Sequence, residues 1–328
     1  MSRQLISKLV ALIAGIALIL VAYNHNQSSI YLINGNAYGT TWSIKSSEYI
    51  GDHHKENIIN IINRIDYVAS NYKKDSEISK INQSKNNFHF VSNDLFKILS
   101  IAKEVEEKSL GFYNILLGKI SSNLGFSPTF GNELVHKKNS TFKLDEKNQS
   151  LEKLSDNWFD LSSIAKGYAV QEIHHYLVKE NLVNHLIDIG GEIIASGNND
   201  DESWKIGIQN PFSILDDATI VIDNNLKFIA IASSGEYRNY ISDKNGNKQT
   251  HTINPKTLKS IENEILSVSV ISDISATYAD AYATAFNAMG AELALSLANK
   301  EDIALMLIVN NSDNVEILYS NKWYDKNI

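Results

Sequence analysis

The hydrophobic period of this chain changes near residue 185, and that change limits the folds the chain can adopt. Before it, apolar residues recur at helical spacing over 55–69, 93–108 and 163–180. After it, residues 185–240 form short alternating or apolar runs separated by Gly, Asp and Asn, which predicts a β-sheet. Strands therefore outnumber helices without regular alternation, and this favours an α+β fold over a doubly wound parallel sheet.

Other segments add elements to this scheme. Residues 30–45 predict two strands around a glycine-containing turn, with Trp42 and Ile44 on one face. Residues 125–157 are polar, so we expect a loop there with one possible hairpin. A short apolar strand is expected to run into Asp160. The C-terminal part predicts a strand from Ile265, a helix over 276–289, a second helix near 291–299 and two closing strands.

Composition excludes several functional classes. The formal net charge of the 328 residues is -8, and no run of lysine or arginine offsets it, so a nucleic-acid partner is not expected. The chain has no cysteine, which excludes disulfides, zinc–thiolate sites, a thiol nucleophile and a lipoprotein anchor. The common dinucleotide, NTPase, hydrolase and zinc-protease motifs are also absent from the sequence.

The N-terminus indicates export. Arg3 and Lys8 precede an apolar run over 9–23, and basic residues before such a run place the folded part outside the cytoplasm. About 15 apolar residues suit a cleaved signal peptide, but no A-x-A pattern follows, so an uncleaved anchor is equally compatible; a buried helix is the third alternative. We therefore expect a signal or anchor over 1–29 and one folded domain over 30–328.

The stretch WFDLSSIAKGYAV, residues 158–170, concentrates polar groups where a chain segment enters a helix. Asp160 precedes the helix and Lys166 lies in its first turn. Exposed N–H groups and the positive helix end suit a phosphate, and a lysine adds charge. An ordinary helix capped by Ser162 or Ser163 is the alternative.

A second concentration lies over 276–286, where Asp280 and Thr284 are four residues apart and share a helix face. A carboxylate and a hydroxyl so placed can present oxygen ligands to Mg²⁺. The alternative is a helix start at which Asp280 complements the dipole and Thr284 only packs.

A third lies over 233–257, which predicts a hairpin with a KNGN turn followed by His251. His251 could act as a general base or be a structural surface residue. Ser233, Ser234, Tyr237 and Arg238 precede the turn. Gly190-Gly191 marks a bulge or a close backbone approach. The pairs His53-His54 and His174-His175 lack metal-ligand spacing, and we expect them to be solvated.

These segments occur together, in order, in one family. The chain resembles the ApbE-type FAD:protein FMN transferases over roughly 35–310, through GTTWSI, SNYKKDSEISKIN, DLSSIAKGYAV, IDIGGEIIASG, WKIGIQNP, SSGEYRNY, HTINP and YADAYATA. The resemblance implies a mixed, largely antiparallel sheet with packed helices. It also implies a periplasmic enzyme that uses Mg²⁺ and FAD, transfers FMN to a threonine or serine hydroxyl of a target protein and releases AMP.

The resemblance also assigns residues. It implies that Mg²⁺ is held by the Ala165 carbonyl, Asp280 and Thr284, and that His251 assists the attacking hydroxyl. Positions implied to contact FAD are Tyr38, Tyr72, Tyr113, Asn114, Ile115, Asp160 and Lys166. The implied acceptor is a redox protein, a subunit of a membrane respiratory complex, and the N-terminal segment would tether the enzyme to the inner membrane in place of a lipid.

The sequence departs from the family pattern at three positions. Asn114 and Asn254 stand where the family has Asp, and Leu258 stands where the family motif continues with glycine. Two carboxylates are thus absent near the expected site. Two alternatives to transfer therefore stay open: an FAD pyrophosphatase that yields FMN and AMP, and a flavin-binding protein without transfer activity.

Overall fold

The computed structural model describes residues 3–25, 30–128, 135–136, 141–209, 211, 218–225, 228–235, 240–242, 248–262, 264–311 and 314–325. Helices within these residues are α1 (Arg3–His25), α2 (Asp52–Ala69), α3 (Glu77–Gln83), α4 (Asn93–Lys108), α5 (Gly118–Asn123), α6 (Ala165–Lys179), α7 (Ala276–Met289), α8 (Ala291–Lys300) and α9 (Asn321–Asp325).

Strands occupy much of the rest of the described chain. They are β1 (Tyr31–Ala37), β2 (Thr40–Ser46), β3 (Phe88–Phe90), β4 (Phe142–Asp145), β5 (Ser150–Lys153), β6 (His185–Ile189), β7 (Glu192–Ser196), β8 (Lys205–Gln209), β9 (Ala218–Asp223), β10 (Phe228–Gly235), β11 (Tyr240–Ser242), β12 (Lys248–Thr250), β13 (Ile253–Asn254), β14 (Lys259–Ser260), β15 (Ile265–Ser272), β16 (Ala304–Asn311) and β17 (Asn314–Tyr319).

One large sheet organises the molecule. Its strands lie in the order β1-β2-β6-β7-β10-β15-β16-β17, and every neighbouring pair is antiparallel. The smaller sheets are β3-β5-β4, β8-β9, β11-β12 and β13-β14. This arrangement confirms the α+β prediction. The hairpin expected within 125–157 is β4–β5, and the two strands expected over 30–45 are β1 and β2.

The large sheet is covered on both faces because its strands alternate. In β10, Ala230 and Ala232 face a core formed with helices α2, α4, α6, α7 and α8. Their neighbours Ile229 and Ile231 face the opposite side, where the β8–β9 hairpin and Trp323 of α9 complete a second core. Period-2 alternation thus supplies two apolar faces, and each face is buried by its own layer.

The strand expected before Asp160 is not formed, and that prediction was wrong. Residues 157–161 have no strand pairing. Two buried asparagines bond their backbone instead: Asn82 accepts the Phe159 N–H at 2.7 Å and donates to its carbonyl at 2.9 Å. Asn71 donates to the same carbonyl at 2.6 Å and accepts the Leu161 N–H at 3.0 Å. Side chains therefore satisfy backbone groups that a sheet would otherwise pair.

The helix after Asp160 begins without a serine cap. Ile164 is the N-cap residue of α6, and no side chain caps the helix there. The hydroxyl of Ser163 instead lies 3.1 Å from that of Tyr113. The capped-helix alternative is therefore not what the structure contains. A helix that the sequence reading missed, α3, lies inside the polar SNYKKDSEISKIN segment and carries Asn82.

The His174-His175 pair is only partly solvated, which corrects the expectation. His175 is exposed, but Nδ1 of His174 lies 2.9 Å from Nε2 of the fully buried His185. Nδ1 of His185 donates to the Leu182 carbonyl at 2.8 Å, so its Nε2 accepts the His174 N–H. Burial lowers the pKa of His174 to about 3 and that of His185 to about 4.

The N-terminal apolar run forms α1. Large apolar side chains of this helix are exposed, including Val10, Leu12 and Leu18. Within the part of the chain that the structure describes, no helix has both the length and the hydropathy of a membrane span.

Candidate functional site

Helices α6 and α7 touch at the two stretches that the sequence singles out. The N–H of Gly167 donates to Oδ2 of Asp280 at 2.8 Å. The contact is close because residue 167 has no side chain: a Cβ there would lie 2.5 Å from the Ala276 carbonyl oxygen and 2.7 Å from the Asp280 Cβ. The structure therefore places the beginning of α6, with Ala165 and Lys166, directly beside Asp280.

The predicted metal ligands lie around this contact. Asp280 is 5% exposed, Ala165 is 8% exposed, and Thr284 is half-buried one turn after Asp280 on α7. Burial raises the pKa of Asp280, which Lys166 and the Gly167 N–H oppose. A cation bound beside Asp280 would stabilise the charged carboxylate in the same way as Lys166 does, and would lower its pKa.

The donor set fits a hard divalent cation. A carboxylate, a hydroxyl and a carbonyl are all oxygen ligands, the kind that Mg²⁺ prefers while it keeps other positions for water and phosphate. The set contains a single carboxylate. Among the residues that the structure describes, no group of three or more His, Cys, Asp or Glu is placed to hold a metal.

Lys166 forms an ion pair that sequence reasoning did not anticipate. Its Nζ lies 2.5 Å from Oε2 of Glu192, whose side chain is 3% exposed while that of Lys166 is 28% exposed. Burial raises the pKa of Glu192, and the charge of Lys166 opposes that rise and favours the ion pair. Burial would lower the pKa of Lys166, but Glu192, Asp280 and Asp188 outweigh that effect and raise it. A lone glutamate at the start of the apolar β7 was the available sequence signal.

The turn between β6 and β7 brings backbone close to β2, as the glycine pair predicted. Gly190 has φ +63°, and a Cβ on it would lie 2.6 Å from Cγ2 of Thr40. Asp188 closes the turn by accepting the Gly191 N–H at 2.9 Å. Only glycine combines this backbone conformation with this approach at low cost.

A cavity of about 330 Å³ opens beside this turn. Its walls come from the glycine turn, the start of β2, strand β8 and the end of β10. Polar lining groups include Thr40, Thr41, Asp188, Ser233, Ser234 and Ser267, and apolar ones include Ile193, Ile206, Ile208 and Ile231. Such a mixture of apolar walls and a few polar groups is typical of small-molecule sites.

Asp160 is held in place by its neighbours. Its Oδ1 accepts the Ser162 N–H at 3.0 Å, and its Oδ2 accepts the Ser127 hydroxyl at 3.2 Å. The exposed Tyr72 lies nearby, because its hydroxyl donates to the Phe126 carbonyl at 2.5 Å. The partial burial of its hydroxyl, followed by the charge of Asp160, raises the pKa of Tyr72. The structure thus brings Tyr72 and Asp160 together.

The predicted contacts Tyr113, Asn114 and Ile115 lie behind Asp160. Tyr113 is 1% and Ile115 is 2% exposed, and the Ile115 carbonyl accepts the Asp160 N–H at 2.7 Å. Burial raises the pKa of Tyr113. In this structure the two buried side chains support the Asp160 turn from within the core.

Asn114, which replaces a family aspartate, has an acidic partner. Its Nδ2 donates to Oε1 of Glu106 at 2.7 Å, and its Oδ1 accepts the Leu116 N–H at 2.7 Å. Burial raises the pKa of Glu106 to about 7. The carboxyl group of Glu106 is therefore hydrogen-bonded to the side chain at position 114, where the family carries an aspartate.

The remaining predicted residues lie at two edges of the site. The ring of His251 contacts that of Phe126, with centroids 6.5 Å apart, which places it near Tyr72. Tyr38 lies at the β1–β2 turn, next to Thr40 of the cavity wall, and its hydroxyl donates to the Ile62 carbonyl at 2.8 Å. Tyr237, Arg238 and the KNGN turn lie outside the described residues, although β11 and β12 on either side pair as a hairpin.

Three residues of the site were missed by sequence reasoning: Glu192, Asn71 and Asn82. The asparagines lie within the SNYKKDSEISKIN motif, and their role depends on contacts with Phe159 and Leu161 that are 77 to 90 residues away. Spacing within the motif gives no sign of such partners.

Comparison with known proteins identifies the family of this chain. The model of the ApbE family matches residues 38–307. The chain is 30% identical to the FAD:protein FMN transferase of Haemophilus influenzae, covering 99% of this chain and 98% of that protein. It is 29% identical to the enzyme of the same name from Vibrio cholerae, over 92% of this chain and 94% of that one.

Solved structures show the same fold. The flavin transferase ApbE from Vibrio cholerae superposes with a TM-score of 0.77 at 26% identity, covering 90% of this chain and 99% of that one. The apo flavinyl transferase ApbE of Pseudomonas stutzeri gives 0.78 at 23% identity over 90% and 96%. The chain therefore belongs to the ApbE family.

Proposed function

We propose that this protein is a Mg²⁺-dependent flavin transferase that moves the FMN part of FAD onto a threonine or serine hydroxyl of an acceptor protein and releases AMP. The observation that carries the proposal is the 2.8 Å bond from Gly167 to Asp280, because it joins a lysine-bearing helix start to a face with two oxygen ligands. Relatives that the chain matches nearly end to end are named for this activity.

The reaction needs little covalent chemistry from the protein. The acceptor hydroxyl oxygen forms a bond to the phosphorus on the FMN side of FAD, and the bond from that phosphorus to the bridging oxygen breaks. The bridging oxygen leaves with AMP. Transfers of this kind depend mainly on positioning and on the stabilisation of phosphate charge. The absence of a nucleophilic cysteine or serine elbow agrees with a hydroxyl supplied by the partner.

Residues of this chain would supply the charge. Mg²⁺ would be held by Asp280, Thr284 and the Ala165 carbonyl, and would neutralise charge on the phosphate oxygens. Lys166 carries a second positive charge at the start of α6, where the positive end of the helix dipole also favours an anion. Glu192 fixes the lysine at 2.5 Å, so its position is set before FAD arrives.

His251 is the proposed base for the acceptor hydroxyl. A base must lie within hydrogen-bond reach of the proton it removes, and the position of His251 beside Phe126 puts it near the exposed rim formed by Tyr72. His251→Ala is expected to slow transfer by about 10²- to 10⁴-fold while FAD binding changes little. Equal loss of binding and transfer would make it a binding residue instead.

The acceptor and location are part of the proposal. A covalently bound flavin belongs in a redox protein, and we infer a subunit of a membrane respiratory complex on the periplasmic side. The basic residues before an apolar run, and the exposed apolar side chains of α1, support export with a retained or cleaved N-terminal segment. Cell fractionation with an antibody against the folded domain checks this location.

One assay separates the proposal from its two alternatives. The full chain is incubated with FAD, Mg²⁺ and an acceptor subunit that carries a candidate threonine, and the products are followed by in-gel flavin fluorescence and by AMP release. Fluorescence on the acceptor with one AMP per flavin supports transfer. AMP with free FMN would support a pyrophosphatase, and bound FAD without AMP would leave only a flavin-binding protein.

A further inference from the structure

Helix α7 carries a third polar residue on the face of the predicted metal ligands. Asn287 follows Asp280 by seven residues and Thr284 by three, so the three side chains share one face over two turns. Asn287 is fully buried, and its helix neighbours Phe286 and Ala288 are buried apolar residues. Burying an amide is unfavourable unless hydrogen bonds compensate for the lost contacts with water, so we expect hydrogen-bond partners for the Asn287 amide.

The amide of Asn287 bonds the segment that carries His251. Its Nδ2 donates to the hydroxyl of Thr252 at 3.2 Å, and Thr252 directly follows His251 in the chain. A longer contact of 3.5 Å joins the same Nδ2 to the Ser234 hydroxyl. Ser234 lines the cavity. The Asn287 side chain therefore connects the α7 face that carries Asp280 and Thr284 to the residue after His251 and to the cavity wall.

A second bond ties the same segment to α7. Nδ2 of Asn254 donates to the Ala288 carbonyl at 3.2 Å, next to Asn287 in the helix. The segment is also closed on itself, since the Ile261 N–H donates to the Thr252 carbonyl at 3.0 Å. Loss of the Asn287 bond alone should thus shift His251 without releasing the whole segment.

We infer that Asn287 is a positioning residue that sets the distance from the His251 imidazole to the Asp280 and Thr284 face. The inference rests on the proposed function, because the position of His251 relative to Asp280 and Thr284 matters only if these residues take part in FMN transfer. In the structure the alignment of these residues is carried by α7, by the buried amide of Asn287 and by Thr252, which adjoins the histidine. A displacement of about 1 Å in such an arrangement can slow a reaction about 100-fold.

Asn287→Leu tests this, because leucine keeps the approximate size and removes the donor. Single-turnover FMN transfer is expected to fall about 10- to 100-fold, with the dissociation constant for FAD changed less than about threefold. Thr252→Val should reproduce the loss, and the double variant should be no slower than either single variant because both remove one bond. Asn224→Leu is the matched control, since Asn224 is also a buried asparagine and its Nδ2 bonds the Gly197 carbonyl, which belongs neither to α7 nor to the His251 segment.

The decisive comparison uses the His251→Ala background. If Asn287 acts through His251, Asn287→Leu should have no further effect on transfer there. An equal slowing in both backgrounds, or wild-type transfer in Asn287→Leu, would overturn the inference.

A measurement that does not depend on FMN transfer tests the position of His251 separately from the proposed function. The imidazole resonances of His251, followed by NMR of the full chain, should shift in Asn287→Leu and Thr252→Val and stay in place in Asn224→Leu. If wild-type protein transfers no FMN but these shifts appear, the proposed function fails and the alignment stands. Unchanged resonances in Asn287→Leu would contradict the alignment itself.

Discussion

The Gly167 N–H and the Asp280 carboxylate, 113 residues apart in the chain, are joined by a hydrogen bond of 2.8 Å. This bond merges two separate sequence signals into one site. The beginning of α6 contributes Lys166 and the Ala165 carbonyl, and α7 contributes Asp280 and Thr284, so the three proposed Mg²⁺ ligands lie around this contact. Because the contact depends on the absence of a side chain at Gly167, we expect substitutions at this residue to destabilise the protein.

Gly167→Ala should destabilise the protein by about 1–3 kcal/mol, since the new Cβ would lie 2.5 Å from the Ala276 carbonyl oxygen and α6 would have to move. Denaturant unfolding measures this. Gly15→Ala, at a glycine inside α1, is a suitable control, because a new Cβ there would meet no heavy atom within 4 Å. Equal stability of the Gly167 variant and the wild type would contradict the close packing of α6 on α7.

Asn82→Leu should destabilise the protein by about 2–4 kcal/mol, because it leaves the buried N–H and carbonyl of Phe159 without this partner. The Asp160 turn should loosen, so FAD binding should weaken as well. Urea unfolding and flavin fluorescence titration measure the two effects. Asn148→Ala removes only an exposed bond to Asp145 and should change neither.

Asn114→Asp, which restores the family residue, is expected to destabilise this chain. The new carboxylate would face Oε1 of Glu106 at the 2.7 Å separation that now holds a donor. The loss should be about 1–3 kcal/mol at pH 8 and smaller at pH 5, where the two carboxyl groups can share a proton. Adding Glu106→Gln should recover most of the stability. A destabilisation that this second change leaves intact would show that Glu106 is not the cause.

The buried histidines predict a loss of stability in mild acid. The pKa values of His174 and His185 in the folded protein, about 3 and 4, lie below the unfolded value of about 6.5. Below pH 6.5 the unfolded state therefore binds more protons, and stability falls as the pH decreases towards 4. At pH 5 each histidine accounts for about 2 kcal/mol of that loss.

His174→Gln isolates this effect from the carboxylates, because the glutamine amide can still donate to His185. The fall in unfolding free energy from pH 7 to pH 5 should be about 2 kcal/mol smaller than in the wild type. His53→Gln changes an exposed histidine of α2 and serves as the control. An identical pH dependence for wild type and His174→Gln would remove the buried pair as its source.

The sequence predicted those elements whose signals are local. Helix α4 was expected over 93–108 and occupies those residues, because its apolar stripe is regular and Ser92 caps it through the Leu95 N–H. Helix α7 also agrees at both ends, since Ser275 caps its beginning and Gly290 follows its last residue. Caps, periodicity and turns act within a few residues and can be read directly.

What could not be predicted depends on distant partners. An apolar run before Asp160 has the composition of a strand, but the side chains of Asn71 and Asn82 take the bonds that a neighbouring strand would supply. The role of Glu192 cannot be predicted from the sequence, because it depends on the fold that places Lys166 beside it. Leu258 adopts φ +62°, a left-handed conformation that favours glycine, so this turn holds a leucine under strain.

The most direct measurement of the central claim is Mg²⁺ binding and AMP release by Asp280→Asn. Asparagine can still accept the Gly167 N–H, so the fold should persist while the charged ligand is lost. The claim predicts at least a 10-fold weaker Mg²⁺ affinity by calorimetry in the presence of FAD, and no metal-dependent AMP release. Asp302→Asn, an exposed carboxylate paired with Lys322, should match the wild type. Wild-type affinity and AMP release in Asp280→Asn would contradict a metal site at the α6–α7 contact.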